Sequence, residues 1–219
     1  MLPATKFNLM KYKLKPQKKM NQKRHSSFVP RRRDRTPTFF TQAELKRLLA
    51  AVKDKRDRAI IKTAYRHGLR ASEVGMLQRD DVDLKQGRLN IRRLKGSLAG
   101  VYPMAADTVK VIRSYLRTRD DHDSPYLFIS NRGLPIDRRT LWKMMQTYAE
   151  AAGLPEDKQH FHILKHSIAT HLLDAGADLS FVKDWLGHAN IQNTTIYARL
   201  TNTTRDAKAR QLFSSHRVV

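Results

Sequence analysis

His162-Ile163-Leu164-Lys165-His166, followed by Leu186-Gly187-His188 and then by Tyr197, is the series on which the reading of this chain turns. Two histidine-rich turns lead into a tyrosine nine residues beyond His188. A tyrosyl oxygen can attack a phosphodiester and hold the phosphorus covalently. Such an attack builds negative charge on the non-bridging oxygens, so the chemistry needs fixed cationic donors around the reacting phosphate. The glycines that follow each apolar run set the local structure. His162 to Ala175 reads as a helix stopped by Gly176, Leu179 to Leu186 as one stopped by Gly187, and Ile191 to Leu200 as the helix carrying Tyr197.

Upstream, order is expected to begin near Thr41. Thr41-Gln42-Ala43-Glu44 has the form of a capping box, and Leu45, Leu48, Leu49 and Val52 then make one apolar face. A second helix runs through Ala59, Ile60, Ile61, Ala64 and Tyr65 to a stop at Gly68, and a short third covers Ser72 to Leu77. Next, apolar and polar residues alternate. Val82-Asp83-Leu84, a turn at Gln86-Gly87 and Arg88 to Arg92 read as strands, Lys95-Gly96-Ser97 as a hairpin tip and Val101 to Met104 as the return strand. Ala106 to Arg117 and Thr140 to Ala152 are helical, with Tyr126 to Ile129 a brief strand or extended loop between them. The expected class is mainly α with a small antiparallel β-sheet.

The 219 residues carry 43 Lys and Arg against 20 Asp and Glu, a net charge of +23. So large an excess favours a polyanionic partner, with nucleic acid first. An anionic membrane fits less well, because no run of about 20 apolar residues occurs. With no cysteine, disulfides, thiolate zinc sites and cysteine nucleophiles are excluded. Residues 1–37 hold 12 Lys and Arg and one acid, Asp34, and four prolines interrupt them. This segment reads as a basic arm that tracks phosphates through Lys18, Lys19, Lys23, Arg24, Arg31, Arg32 and Arg33, against the plainer reading of a solvated tail.

The ordered motifs resemble the tyrosine recombinase/integrase family over about residues 40–200. Gly68-Leu69-Arg70-Ala71-Ser72-Glu73 is similar to the segment with the first catalytic arginine, Lys95 matches the family's mobile lysine, and His162 to Ser167 matches its histidine-x-x-arginine helix. Leu186-Gly187-His188 matches the second histidine motif and Tyr197 the nucleophile. The resemblance implies the recombinase catalytic-domain fold. It also implies cleavage and rejoining of double-stranded DNA through a 3′-phosphotyrosyl link, with Lys95 protonating the departing 5′ oxygen and neither metal nor cofactor. Arg70 offers a planar fork to two phosphate oxygens, His188 donates to the same phosphate, His162 takes the tyrosyl proton and Glu73 holds Arg70 or an adjacent group in place. His166 and His171 are read as structural.

Two departures from the family stand out. Lys165 occupies the place of an arginine, keeping the charge and losing the bidentate fork. The family's N-terminal clamp domain is not expected within residues 1–37, which fall short of the roughly 50 residues of a small domain. The expected organisation is a basic arm (1–37), a catalytic domain (38–200) and a C-terminal tail (201–219) that docks on a neighbour in a DNA-bound tetramer. A cytoplasmic, nucleoid-associated protein of bacterial or phage type, linked to mobile-element recombination, follows from this reading. Two rival functions remain. One is a weakened DNA-binding relative that regulates or accompanies a full-length recombinase; the other is a type IB topoisomerase. A metalloprotease-like site at His162 and His166 is disfavoured, because Ile163 stands where a glutamate is needed.

Overall fold

The computed structural model describes residues 37–94, 96–119, 123–198, 209–210 and 213–214. Lys95, the basic residues of the arm and most of the C-terminal tail lie outside the described residues. Eight helices and one small sheet make up the described chain: α1 (Gln42–Ala51), α2 (Lys55–His67), α3 (Ala71–Met76), β1 (Val82–Asp83), β2 (Arg88–Ile91), β3 (Gly100–Pro103), α4 (Ala106–Leu116), α5 (Arg138–Ala151), α6 (Ile163–Asp174), α7 (Leu179–Trp185) and α8 (Gln192–Ala198). The mainly helical class with a small antiparallel sheet is therefore the architecture found. Among the described residues no helix is long and apolar enough to cross a membrane.

Helix starts follow from side chains that satisfy free amides. At α1 the Thr41 hydroxyl accepts from the Glu44 amide and the Glu44 carboxylate accepts from the Thr41 amide, a complete capping box. Asp54, Asp137 and Asp178 cap α2, α5 and α7 through their carboxylates. Sequence periodicity alone starts α5 at Thr140; the Asp137 cap moves the start back to Arg138.

The core gathers around α6. Ile163, Leu164, Ser167, Ile168, Ala169, Thr170 and Leu173 are all buried, so this helix has no solvent face to speak of. It packs against α2 on one side and against α7 and α8 on the other. His171 on α6 is a structural tie: its Nδ1 meets the Tyr65 hydroxyl at 2.8 Å and its Nε2 the Phe40 carbonyl at 2.7 Å. The Ser167 hydroxyl accepts from the Phe40 amide at 2.8 Å, which pins the chain entering α1 to the same helix.

The sheet is a meander, with β2 in the centre and both pairings antiparallel. In β2, Leu89 and Ile91 point inward while Arg88 is exposed, and the alternation continues past the strand end to bury Arg93. The connection from β2 to β3 is fastened to the α7–α8 turn, where the Leu98 amide donates to the Gly187 carbonyl at 3.0 Å.

Candidate active site

Two glycines decide where the cationic side chains go. Gly68 ends α2 at φ +57°, and a Cβ there would lie 2.5 Å from Leu186 Cδ2. The turn therefore brings the chain leading to Arg70 against the end of α7. Gly187 has φ +65°, and its absent Cβ would meet Arg93 Nε at 2.7 Å and the Leu98 carbonyl at 2.8 Å. No other residue type allows this approach, and His188 is aimed by it.

Arg70 is the residue before the first turn of α3. Its amide donates to Glu73 Oε2 at 2.8 Å, and one guanidinium nitrogen donates both to Glu73 Oε1 at 2.8 Å and to Ser97 Oγ at 2.9 Å. The side chain keeps 30% of its surface exposed, whereas that of Glu73 is wholly buried. Burial alone would raise the Glu73 pKa. The Arg70 amide bond and the charges of Arg93, Lys165 and Arg70 outweigh it and hold the carboxyl below its usual range. One carboxylate thus faces three cations, and the surplus positive charge suits an arriving phosphate.

Lys165 lies deep, with 1% of its surface exposed, and its Nζ donates to the Leu186 carbonyl at 2.8 Å. Burial, then the neighbouring charges of Arg93 and Arg70, bring its pKa down to about 7. His188 is also buried. Its Nδ1 meets Thr194 Oγ1 at 2.9 Å and its amide donates to the Lys183 carbonyl. Burial and the charges of Lys165 and Arg70 push its imidazole down to about 4, so it is neutral at pH 7.

Tyr197, on α8, is 2% exposed, and its hydroxyl meets His166 Nδ1 at 2.8 Å. Burial raises the phenol above its ordinary range, with the Arg70 charge opposing it. Burial, followed by the charge of His162, presses the His166 imidazole down to about 3, which leaves it neutral. His162 is exposed at the start of α6 and reaches the tyrosine only through His166, its ring meeting the His166 ring edge-on at 4.6 Å. The residue on the phenol is therefore His166, expected from the sequence to be structural through packing or hydrogen bonds within the fold, and not His162. The spacing of four placed both imidazoles on one helix face; which of them meets α8 is decided by tertiary packing.

The fold thus brings Arg70, Glu73, Lys165, His188 and Tyr197 to the meeting of α3, α6, α7 and α8, with His162 at the rim. Sequence reasoning passed over His166, Ser97, Thr194 and Arg93. For Arg93 a signal was present, since it falls on the inward register of β2 two residues after Ile91. Among the described residues no group of histidines and carboxylates is placed to hold a metal ion.

The phage integrase family matches residues 38–204. Tyrosine recombinase XerA of Thermococcus kodakarensis is 38% identical over 170 residues, covering 75% of this chain and 59% of the relative, and XerA of Pyrococcus furiosus is 38% identical with 58% of its length covered. The chain therefore spans less than two thirds of the curated relatives it matches. Among solved structures, a crystal structure of XerA recombinase superposes with a TM-score of 0.70 at 34% identity, covering 87% of this chain and 67% of that one. The XerH site-specific recombinase bound to palindromic difH substrate, a post-cleavage complex, superposes with a TM-score of 0.71 at 25% identity, covering 83% and 54%.

Proposed function

The chain belongs to the phage integrase family, and from that premise we propose that it is a DNA strand transferase that cleaves and rejoins double-stranded DNA in site-specific recombination or integration. The observation that carries the proposal is the Tyr197 hydroxyl at 2.8 Å from a neutral imidazole, on a helix packed against α6 and α7 and within reach of the Arg70 charge. Tyr197 attacks the scissile phosphorus, displaces the 5′ oxygen and leaves a 3′-phosphotyrosyl link. His166 accepts the phenolic proton as the new P–O bond forms, since the phenol grows more acidic as its oxygen gives up electron density. Arg70 and His188 stabilise the non-bridging oxygens. Lys95 donates a proton to the departing oxygen, as the family resemblance implies. The link stores the energy of the broken bond, so rejoining needs no nucleotide.

The remaining parts follow from the same reading. Residues 38–200 form the catalytic domain and the arm at 1–37 holds DNA phosphates without reading bases. Residues 201–219 dock on a neighbour in a tetramer assembled on two duplexes. The protein acts in the cytoplasm, where such DNA lies. The XerH complex with its difH substrate supports a duplex DNA partner.

One observation favours a second reading. The Lys165 ammonium donates to the Leu186 carbonyl and is 1% exposed, so it does not face an arriving phosphate at the surface. A DNA-binding relative with weakened chemistry, accompanying a complete recombinase, would tolerate that arrangement. The test separates the two. Duplexes retained by the protein from a random-sequence pool are nicked beside the bound site and incubated with wild type and with Tyr197→Phe. A covalent adduct formed by wild type and lost in Tyr197→Phe supports strand transfer. Tight binding with no adduct on any retained duplex, before and after Lys165→Arg, supports the second reading. Relaxation of plasmid of unrelated sequence would instead mark a topoisomerase.

A further inference from the structure

Arg93 has no part in the chemistry above, yet its side chain is wholly buried and heavily bonded. One terminal nitrogen donates to Glu73 Oε2 at 3.0 Å and to the Gly68 carbonyl at 3.4 Å. The other donates to the His67 carbonyl at 3.2 Å and to the Trp185 carbonyl at 3.0 Å. The guanidinium carbon lies 5.5 Å from the centre of the Tyr102 ring, which comes from β3. Gly187 packs directly on Nε, the one nitrogen of the group without a hydrogen-bond partner.

These contacts reach every segment that bears a site residue, apart from α6 and α8. Glu73 is the carboxylate that holds Arg70. The carbonyls of His67 and Gly68 close the turn leading to Arg70. The Trp185 carbonyl is one of the unpaired carbonyls at the end of α7, just before Gly187 and His188, and Lys165 takes the next one at Leu186. Arg93 itself stands two residues before Lys95. A single planar cation with fixed donor directions therefore sets the spacing among three separate strands of chain. A buried guanidinium is costly unless its neighbours satisfy it, and here one carboxylate and three carbonyls do so.

We infer that Arg93 is a positioning residue, whose guanidinium locks the Arg70–Glu73 pair, the Gly187-His188 turn and the β2–β3 connection into one frame that converges on the scissile phosphate. The inference rests on the strand-transfer reading for the identity of the phosphate. It does not rest on that reading for the geometry. Arg93→Lys keeps the charge but loses the fork. It is expected to slow adduct formation on a retained, nicked duplex by about 10- to 100-fold, the scale of a small misplacement of reacting groups. Affinity for an unrelated 30-base-pair duplex should stay within about twofold, because surface cations govern that term. Because Arg93 acts in part through Arg70, the double variant Arg70→Lys/Arg93→Lys should lose less than the product of the two single losses.

The imidazole resonances of His188, followed by long-range proton–nitrogen correlation, give a readout that needs no activity. They should shift in Arg93→Lys and return toward wild type in no other single variant at this position. An adduct rate within twofold of wild type, or losses that multiply through Arg70→Lys, would overturn the inference. If wild type forms no adduct on any duplex, the imidazole spectrum decides. Unmoved His188 resonances overturn the positioning role; shifted ones uphold it and leave the failure with the strand-transfer reading. Should Arg93→Lys not fold, Arg93→Gln, shorter and neutral with an amide donor, serves for the same measurements.

Discussion

Arg70 and Tyr197 stand on either side of the same site and are held in opposite ways. The arginine is bonded twice to a buried carboxylate and once to Ser97, and that carboxylate is itself fixed by Arg93. The tyrosine has one hydrogen bond, to His166, and sits on the seven-residue α8. On the proposed function, the half that receives the phosphate is thus assembled before substrate arrives, which avoids reorganisation during the reaction. The attacking half is stored: its hydroxyl is covered, protonated and less acidic than a free phenol. A protein that carries a nucleophile able to break DNA benefits from this split. On the proposed function, the fixed half offers its cations to any phosphate, and the covered phenol has to be exposed before it can attack.

The largest test of the comparison is at the receiving half. Arg70→Gln removes the exposed donor while leaving Glu73 an amide partner, and should lower the rate of adduct formation by about 10²–10³, the usual loss for an oxyanion donor. Duplex binding should fall far less. A loss of equal size in affinity and in rate would mean that Arg70 holds substrate and transition state alike, and the claim of a preassembled half would fail. Next in size is His166→Leu. It removes the proton acceptor and should slow the adduct by about 10², the low end for general-base loss, because an imidazole with a pKa of about 3 is a weak base. His162→Leu is expected to cost less than about tenfold, since its ring reaches the phenol only through His166. The reverse order of the two histidine variants would show that the stored pairing is not the reacting one.

The helices were legible in the sequence because their ends are written in local chemistry. The Thr41–Glu44 box starts α1, and Gly68, Gly176 and Gly187 take positive φ where they end or follow a helix. The sheet was legible from its alternation. The sequence offered Arg70, Glu73, Lys165, His188 and Tyr197 as candidates that the fold brings together, but it did not offer their contacts. Histidines spaced four apart share a face whatever packs there, so the choice of His166 over His162 waits on where α8 lies. The direction of Lys165 was hidden for a related reason. A lysine on an amphipathic helix extends toward water, but α6 is covered on all sides, so the side chain ends on a backbone carbonyl. Arg93 shows a different case: continuing the Leu89–Ile91 alternation two residues past β2 makes it inward, a signal the sequence reading passed over.

Lys165 gives the smallest effect and the sharpest division between the two halves, because its protonation reports which half it serves. In the folded chain its pKa is lowered to about 7, against about 10.4 for an unperturbed lysine. Between these values the unfolded chain binds more protons than the folded one, so this group makes stability rise with pH from about 7 to about 10. Below pH 7 both states carry the charge, and the full cost of burying it remains. Lys165→Met removes the charge and the bond to Leu186. Its stability relative to wild type should therefore be greatest near pH 6.5–7 and decline steadily toward pH 9.5, as measured by urea denaturation at each pH. The buried histidines titrate below this window in both proteins and cancel in the difference. A difference that stays flat with pH would mean that the ammonium keeps its ordinary proton affinity. Lys165 would then be hydrated and open to an incoming phosphate, a member of the receiving half beside Arg70, and replacing it with arginine should speed cleavage.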